Sequence, residues 1–202
     1  MKHPPPTPPN AAPPFLRDRM AALRQGRGSI ETFIIAIDGR CAAGKTSLAS
    51  ALAREFGAGV VHMDDFFLPG ELRTEARLAQ PGGNVHYERF ISEVLPHLKS
   101  GEAFSYRAFD CAEMRLGGLR QATGSRWRIV EGAYSHHPEL GGYMDLRVFC
   151  DIKPEEQLQR IRTRNGETAL ATFKSKWIPL EEAYLAAFDI KGKADIILAG
   201  DS

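Results

Sequence analysis

Runs of β-branched and apolar residues alternate along this chain with stretches whose apolar residues recur every three or four positions. The apolar runs predict strands at 32–37, 60–63, 127–130, 146–152 and 194–198. The helical spacing predicts helices at 15–25, 45–56, 86–99, from 154 onward and at about 169–188. Strands that alternate with helices indicate a five-stranded parallel α/β sheet covered by helices on both faces.

The pattern is less regular elsewhere. Residues 68–84 are polar and rich in Gly and Pro, and predict mostly loop. Residues 104–110 predict a strand or an extended segment over the site, and 114–125 a glycine-bearing connection or hairpin. Pro96 and Pro179 lie within helical patterns, so we expect a break near each.

The N-terminal stretch differs in composition from the rest. Residues 1–14 contain seven prolines and predict a disordered or extended tail, or else a docking segment for an aromatic groove. The glycines at 26 and 28 are expected to end the first helix. We therefore expect a single domain over 15–202.

The overall composition is that of an ordinary globular protein. Of 202 residues, 43% are hydrophobic and 25% charged, with a formal net charge of +1, so nothing indicates a nucleic-acid or membrane partner. No signal peptide or membrane-spanning run is evident. The three cysteines are far apart and predict reduced thiols in a cytoplasmic protein.

The first strand runs into a glycine-rich motif, Gly39-x-x-x-x-Gly44-Lys45-Thr46, which is followed by a helix. This context is typical of the phosphate-binding P-loop, or Walker A motif, although a simple glycine turn before a helix is the alternative. Backbone N–H groups and the helix N-terminus would bind the phosphates, Lys45 would reach the β/γ-phosphates, and Thr46 would ligate Mg²⁺. The expected nucleotide-binding residues are Gly39, Arg40, Cys41, Ala42, Ala43, Gly44, Lys45, Thr46 and Ser47.

Carboxylates follow two other predicted strands. Asp64 and Asp65 come after the second strand, and Glu131 ends the third. Ligands of open parallel sheets bind at the carboxyl ends of the strands, so these groups should share an edge with the P-loop. Glu131 is predicted to hold Mg²⁺ directly or through water, and Asp64 to accept a proton from a substrate hydroxyl. Turn or capping roles are the alternatives. A metal site of His62, Asp64 and Asp65 is disfavoured, because His62 lies within the strand.

Phosphoryl transfer also requires cations around the moving phosphoryl group. Arg160 and Arg164 lie four residues apart on one face of the helix that begins at 154, so both can turn toward the phosphates. Arg162 points elsewhere on a regular helix. A solvated basic face is the alternative interpretation.

Residues 32–198 resemble the uridine kinase-like family of P-loop kinases. The segment 37–46 resembles the family P-loop, and Asp64-Asp65-Phe66-Phe67 resembles its Asp-Ser-Phe-Tyr stretch, whose first aspartate is the general base. Glu131-Gly132 resembles the Glu-Gly pair that serves the metal. The arginine helix resembles the lid that closes over ATP, here around 155–170. The resemblance implies ATP and Mg²⁺ as cofactors.

The acceptor region departs from that family. Where its members carry an acidic residue for the ribose hydroxyls, this chain has His86, within Asn84-Val-His-Tyr-Glu-Arg89, and Ala108-Phe109-Asp110 only loosely matches the base-reading segment. We expect the acceptor to contact Asp64, Phe67, His86, Tyr87 and Arg89. The start of a surface helix is the alternative for the last three.

These observations favour an ATP- and Mg²⁺-dependent kinase that phosphorylates a hydroxyl of a small molecule, a nucleoside such as uridine being one candidate. The alternative is a non-catalytic ATP-binding regulatory module whose Pro-rich tail recruits a partner. A GTPase is disfavoured, because no Asn-Lys-x-Asp guanine-reading segment is present. The acceptor and the oligomeric state stay open.

Overall fold

The computed structural model describes residues 12–25, 31–111 and 113–199. In chain order, its strands are Phe33–Gly39 (β1), Gly59–His62 (β2), Phe104–Asp110 (β3), Arg115–Ala122 (β4), Trp127–Glu131 (β5), Leu146–Asp151 (β6) and Ile196–Ala199 (β7). Its helices are Pro14–Gln25 (α1), Lys45–Phe56 (α2), Glu75–Leu78 (α3), Tyr87–Glu93 (α4), Leu95–Leu98 (α5), Pro154–Thr172 (α6) and Ile178–Ala187 (α7).

Five strands form one parallel sheet in the order β2-β5-β1-β6-β7. The central strand β1 is buried at every position, which explains its unbroken apolar sequence. Its carboxyl end is in register with the ends of both neighbours, since Ile37 pairs with Glu131 and Gly39 with Cys150. The predicted parallel α/β sheet with five strands is confirmed.

Helices cover the sheet on both faces, because alternate residues of β1 point to opposite sides. On one face, Phe33, Ile35 and Ile37 pack with the apolar residues of α1 and α2. On the other face, Ile34 and Ala36 join a core that contains residues of α4, α5, α7 and the β3–β4 hairpin. Both faces are therefore covered by packed apolar side chains, and ligands can approach this sheet at the strand ends.

The region between β2 and β5 contains more regular structure than its sequence pattern suggested. Strands β3 and β4 pair as an antiparallel hairpin, separate from the main sheet. Residues 68–84 include a 3₁₀ turn at Gly70–Leu72 and the short helix α3. The expected break near Pro96 occurs at Val94, between α4 and α5, because proline is tolerated only in the first turn of the second helix.

The break expected near Pro179 takes the form of a π-helical turn that ends at Trp177, and a further interruption lies earlier. The regular geometry of α6 is interrupted at Gly166, with φ 83° and ψ 173°, a conformation that glycine adopts easily. A π-helical turn at Phe173–Trp177 follows, and Pro179 then occupies the first turn of α7, where no helical N–H is needed. The last helical stretch is thus interrupted at Gly166 and again just before Pro179.

The N-terminal boundary also shifts. Residues 1–11 of the predicted tail, and the glycines at 26 and 28, lie outside the described residues. Ala12 is only 2% exposed and Pro14 opens α1, so the end of the proline-rich stretch belongs to the folded part. No helix in the described part of the chain is long and apolar enough to cross a membrane. The cytoplasmic location stays a prediction.

Candidate active site

The loop between β1 and α2 has the backbone of a phosphate cradle. Gly39 has φ 133°, and a Cβ there would lie 2.0 Å from the carbonyl oxygen of Cys150 on the neighbouring strand, so only glycine fits. Ala42 (φ 61°) and Gly44 (φ 93°) are both left-handed. Such alternation turns successive N–H groups toward one point and makes an anion-binding concavity at the N-terminus of α2. Thr46 and Ser47 follow in the first helical turn.

Lys45 folds back over this loop. Its Nζ donates hydrogen bonds to the carbonyl oxygens of Gly39, at 2.7 Å, and Arg40, at 2.9 Å. The side chain is 9% exposed. A positive charge is therefore held inside the cradle, where a phosphate chain would require neutralisation.

Glu131, at the end of β5, lies beside the first turn of α2. The Thr46 hydroxyl donates to Glu131 Oε2 at 3.1 Å, and His62 Nδ1 lies 2.5 Å from Oε1. The hydrogen bond to Glu131 raises the pKa of His62, against the opposing effect of burial. Hydroxyl and carboxylate oxygens are the ligands that Mg²⁺ prefers, with substrate phosphates completing its coordination. Thr46 and Glu131 therefore fit a magnesium ion.

His62 pairs with Glu131. Among the residues that the structure describes, no three His, Cys, Asp or Glu side chains are arranged to hold a metal ion.

Asp64 lies in the 3₁₀ turn Met63–Phe66 that follows β2. Its carboxylate is open to water on one side, and within the described parts of the chain it accepts no hydrogen bond and forms no ion pair. The protein atoms packed on its other sides raise its pKa, and the charge of Glu131 acts in the same direction, opposed by Lys45. A carboxylate with a raised pKa and no partner is a suitable general base.

Asp65 has a different role. It is 4% exposed, and its Oδ2 accepts a hydrogen bond from the Tyr106 hydroxyl at 2.9 Å and lies 3.0 Å from Arg120 Nη1. Burial raises its pKa and Arg120 opposes that shift. Because Tyr106 and Arg120 belong to β3 and β4, Asp65 fastens the hairpin to the edge of the sheet.

The hairpin and the strand ends enclose a cleft of about 640 Å³. Four carboxylates line it, together with the cationic side chain of Arg120 and the titratable side chain of His62. The lining residues are Thr46, His62, Asp64, Asp65, Ala108, Phe109, Asp110, Cys111, Gly117, Gly118, Arg120 and Glu131. The sequence pattern indicated a hairpin here but carried no signal for Arg120, whose position depends on its pairing with Asp65.

Four of the five expected acceptor residues do not line this cleft. Phe67 packs against the core and bridges to Val85, and the His86 N–H donates to the Phe66 carbonyl. The Tyr87 ring stacks on His137 at 5.2 Å. Arg89 is 8% exposed and pairs with Glu93 at 2.8 Å. Of the five, Asp64 alone lines the cleft, because the contacts just described engage the other four elsewhere.

The two predicted lid arginines, Arg160 and Arg164, have different partners in the structure. Arg160 Nη1 donates to the carbonyl oxygen of Ala42 in the P-loop at 3.2 Å. Arg164 is exposed and bonds Asn165 at 2.7 Å, and Arg162 pairs with Glu167 at 2.8 Å. The structure thus brings Arg160, but not Arg164, to the phosphate-binding loop.

Two glutamates of α7 contact the P-loop, and the sequence analysis did not identify them. Glu181 Oε2 accepts a hydrogen bond from the Cys41 N–H at 2.8 Å. Glu182 takes both Nε and Nη2 of Arg40, at 2.6 and 3.0 Å, and Asp151 also pairs with Arg40. In sequence these glutamates only suggest an acidic first turn of a helix, so no local signal marks them.

Cys41 fills space in the P-loop. It is 8% exposed, and burial raises the pKa of its thiol to about 12. Gln157 Nε2 lies 3.2 Å from its sulfur and donates to its carbonyl oxygen at 3.1 Å. The thiol is therefore protonated at neutral pH.

A second cavity of about 340 Å³ lies on the other side of the P-loop, at the carboxyl ends of β6 and β7. It is lined by Arg40, Asp151, Ile152, Lys153, Pro154 and Ala199. The P-loop therefore separates two concave spaces, of which only the larger contains Asp64 and Glu131.

Three solved structures that share this fold are named as kinases. A possible uridine kinase from Bacillus stearothermophilus is 21% identical, with a TM-score of 0.60 over 91% of this chain and 99% of that one. A candidate fructose transport system kinase from Silicibacter sp. is 22% identical, with a TM-score of 0.66 over 91% and 97%. Phosphoribulokinase from Rhodobacter spheroides is 16% identical, with a TM-score of 0.51 over 85% and 71%.

These similarities define the class of fold, that of the P-loop kinases. Within this class, the resemblance to the uridine kinase-like group is confirmed at the level of the fold. No protein-family model matches the chain.

Proposed function

We propose that this protein is an ATP- and Mg²⁺-dependent kinase that transfers the γ-phosphoryl group to a hydroxyl of a small molecule. The observation that carries the proposal is the position of Asp64, unpaired and open to a cleft that also exposes Thr46 and Glu131 next to the P-loop. A general base, a metal-binding pair and a phosphate cradle are the parts that phosphoryl transfer to an alcohol requires.

Each residue has a distinct task in this mechanism. The N–H groups of the P-loop bind the phosphate chain, and Lys45 neutralises its charge. Thr46 and Glu131 would hold Mg²⁺, which would neutralise negative charge on the phosphates. ATP donates the γ-phosphoryl group, and ADP is the leaving group. Asp64 accepts the proton of the acceptor hydroxyl as its oxygen bonds to the γ-phosphorus. Arg160, from its contact with Ala42, can add a positive charge beside the phosphates.

The two cavities suggest opposite places for the two substrates. Asp64 assigns the larger cleft to the acceptor, which leaves the cavity beside Arg40 and Pro154 for the base and ribose of the nucleotide. Open α/β sheets bind ligands in crevices outside the carboxyl ends of their strands, and both cavities lie there.

The charge of the cleft favours an uncharged acceptor. Asp64, Asp65, Asp110 and Glu131 all line it, while Arg120 is paired with Asp65 and His62 with Glu131. Among the described residues that line the cleft, carboxylates outnumber cations, so a phosphorylated or carboxylated acceptor would be disfavoured relative to an uncharged one. A nucleoside such as uridine, or a simple sugar, carries hydroxyls that can donate hydrogen bonds to these carboxylates.

The test is ATP consumption with Mg²⁺ against matched pairs of acceptors: uridine and its 5′-monophosphate, fructose and fructose 6-phosphate, ribose and ribose 5-phosphate. Asp64→Asn and Lys45→Ala are measured in parallel. We expect turnover with an unphosphorylated member that is lost in both variants. ATP binding without turnover of any acceptor would contradict the proposal. The non-catalytic module is not favoured, since it leaves the unpaired Asp64 without a role.

A further inference from the structure

The P-loop already holds a carboxylate of the protein itself. Glu181, in the first turn of α7, accepts the N–H of Cys41 at 2.8 Å. The charge of Lys45 lies close enough to lower the pKa of this carboxyl, although burial raises it more. A backbone N–H and the P-loop lysine are the two kinds of group that a phosphate chain would use. Glu181 therefore occupies part of the phosphate-binding surface.

The contact belongs to a broader attachment of the P-loop. Glu182, the next residue of α7, binds Arg40, the residue before Cys41, through two parallel hydrogen bonds. Bidentate pairs of this kind are among the stronger polar contacts in proteins. Gln157 donates to the carbonyl oxygen of Cys41 at 3.1 Å. The first half of the loop is thus fastened to α6 and α7 by side chains.

Helix α7 itself is anchored independently of Glu181. Tyr184, one turn further along, is fully buried, and its hydroxyl donates to Asp38 Oδ2 at 2.7 Å. The carboxylate of Glu181 can consequently leave Cys41 by rotation of its own side chain, while the helix remains in place. Displacing it costs one charge-assisted hydrogen bond and leaves the packing of α7 intact.

We propose that Glu181 competes with the phosphate chain of the nucleotide for the P-loop and acts as an internal latch that the phosphates must displace. The inference rests on the proposed function, because it assumes that the P-loop binds nucleotide phosphates. Two anions cannot share the Cys41 N–H and the charge of Lys45 without strong repulsion. The latch lowers the affinity for phosphates, and the many N–H groups of the loop allow a polyphosphate to overcome it.

Calorimetric titration of the full-length protein tests this with three probes: ATP, inorganic pyrophosphate and adenosine. Glu181→Gln removes the charge but keeps the shape, and Glu181→Ala removes the whole carboxylate. We expect both variants to bind ATP and pyrophosphate about tenfold more tightly, the equivalent of one charge-assisted hydrogen bond, with unchanged affinity for adenosine. Glu167→Gln is the matched control, since Glu167 is exposed and pairs with Arg162.

The outcomes separate this inference from the proposed function. Wild-type ATP binding with unchanged affinity in Glu181→Gln would refute the latch and leave the kinase standing. Weaker ATP binding in that variant would also refute it, by showing that Glu181 supports the nucleotide. If neither the wild-type protein nor the two Glu181 variants bind ATP or pyrophosphate, the proposed function is overturned along with the latch. Circular dichroism and thermal unfolding confirm that each variant is folded.

Discussion

The fully buried carboxylate of Asp38 should make a large contribution to stability. Its Oδ1 accepts the N–H groups of Gly39, at 2.7 Å, and Tyr134, at 3.2 Å. Its Oδ2 accepts the His136 N–H at 2.9 Å and the Tyr184 hydroxyl at 2.7 Å. Asp38 therefore ties the end of β1 to the loop after β5 and to α7.

Substitution Asp38→Asn places an amide NH₂ where one oxygen accepted two donors. The Tyr184 hydroxyl can rotate to accept from this NH₂, but a backbone N–H is then left without a partner. An unsatisfied buried donor costs about 1–3 kcal/mol, and loss of the charge weakens the remaining bonds, so we expect roughly 3 kcal/mol of destabilisation. For a domain of this size that lowers the melting temperature by roughly 6–12 °C.

Two buried tyrosines provide a matched comparison. Tyr184→Phe removes a hydrogen bond to a charged carboxylate, whereas Tyr143→Phe removes one to a neutral carbonyl, that of Ser135 at 2.8 Å. We expect losses of about 2 and about 1 kcal/mol in urea unfolding. Because Asp38 and Tyr184 share one bond, their effects should not add in the double variant. A loss below about 1 kcal/mol for Asp38→Asn, or equal losses in the two tyrosine variants, would refute this reasoning.

Three further predictions concern the site. Asp64→Asn should lower kcat by a factor of about 10²–10⁴, with the Kd for ATP unchanged. Because the pKa of Asp64 is raised, kcat/KM of the wild-type protein should fall as the pH drops through that pKa and Asp64 becomes protonated. If the same fall at acidic pH persists in Asp64→Asn, another group is responsible for it. Iodoacetamide at pH 8 should alkylate exposed Cys111 and spare buried Cys41, whose pKa is about 12. Mass spectrometry of the digested protein measures the labelling of each cysteine. Equal labelling of the two would contradict the burial of Cys41. Arg160→Ala should raise the KM for ATP at least several-fold, whereas Arg164→Ala, its matched control, should not; equal effects would show that the contact with Ala42 is unimportant.

The parts of the fold that sequence analysis could predict are those in which short stretches of sequence carry the physical constraint. The apolar run 32–37 must be buried on both faces, and it forms the centre of the sheet. The glycines at 39 and 44 adopt backbone angles that other residues rarely take. The end of a parallel strand lies at a known edge, so the proximity of Glu131 to Thr46 followed from topology.

The acceptor side could not be predicted in the same way. The sequence of residues 84–89 is equally compatible with the wall of a pocket and with the start of a helix. In the structure, Arg89 pairs with Glu93 and donates a hydrogen bond to the carbonyl oxygen of Arg107 in the hairpin. The residues that do enclose the cleft, Arg120 among them, are brought there by the pairing of β3 with β4 and by Asp65.

The sequence by itself determined the sheet, the phosphate cradle and the identity of the groups at the strand ends, because each depends on neighbours within a few residues or on strand polarity. Only the tertiary structure decided which side chains reach the cradle and the cleft. Glu181 contacts Cys41 across 140 positions, and Arg160 contacts Ala42 across 118. Such contacts depend on how whole helices pack, and packing against the core does not by itself determine which polar residues a helix presents to its neighbours.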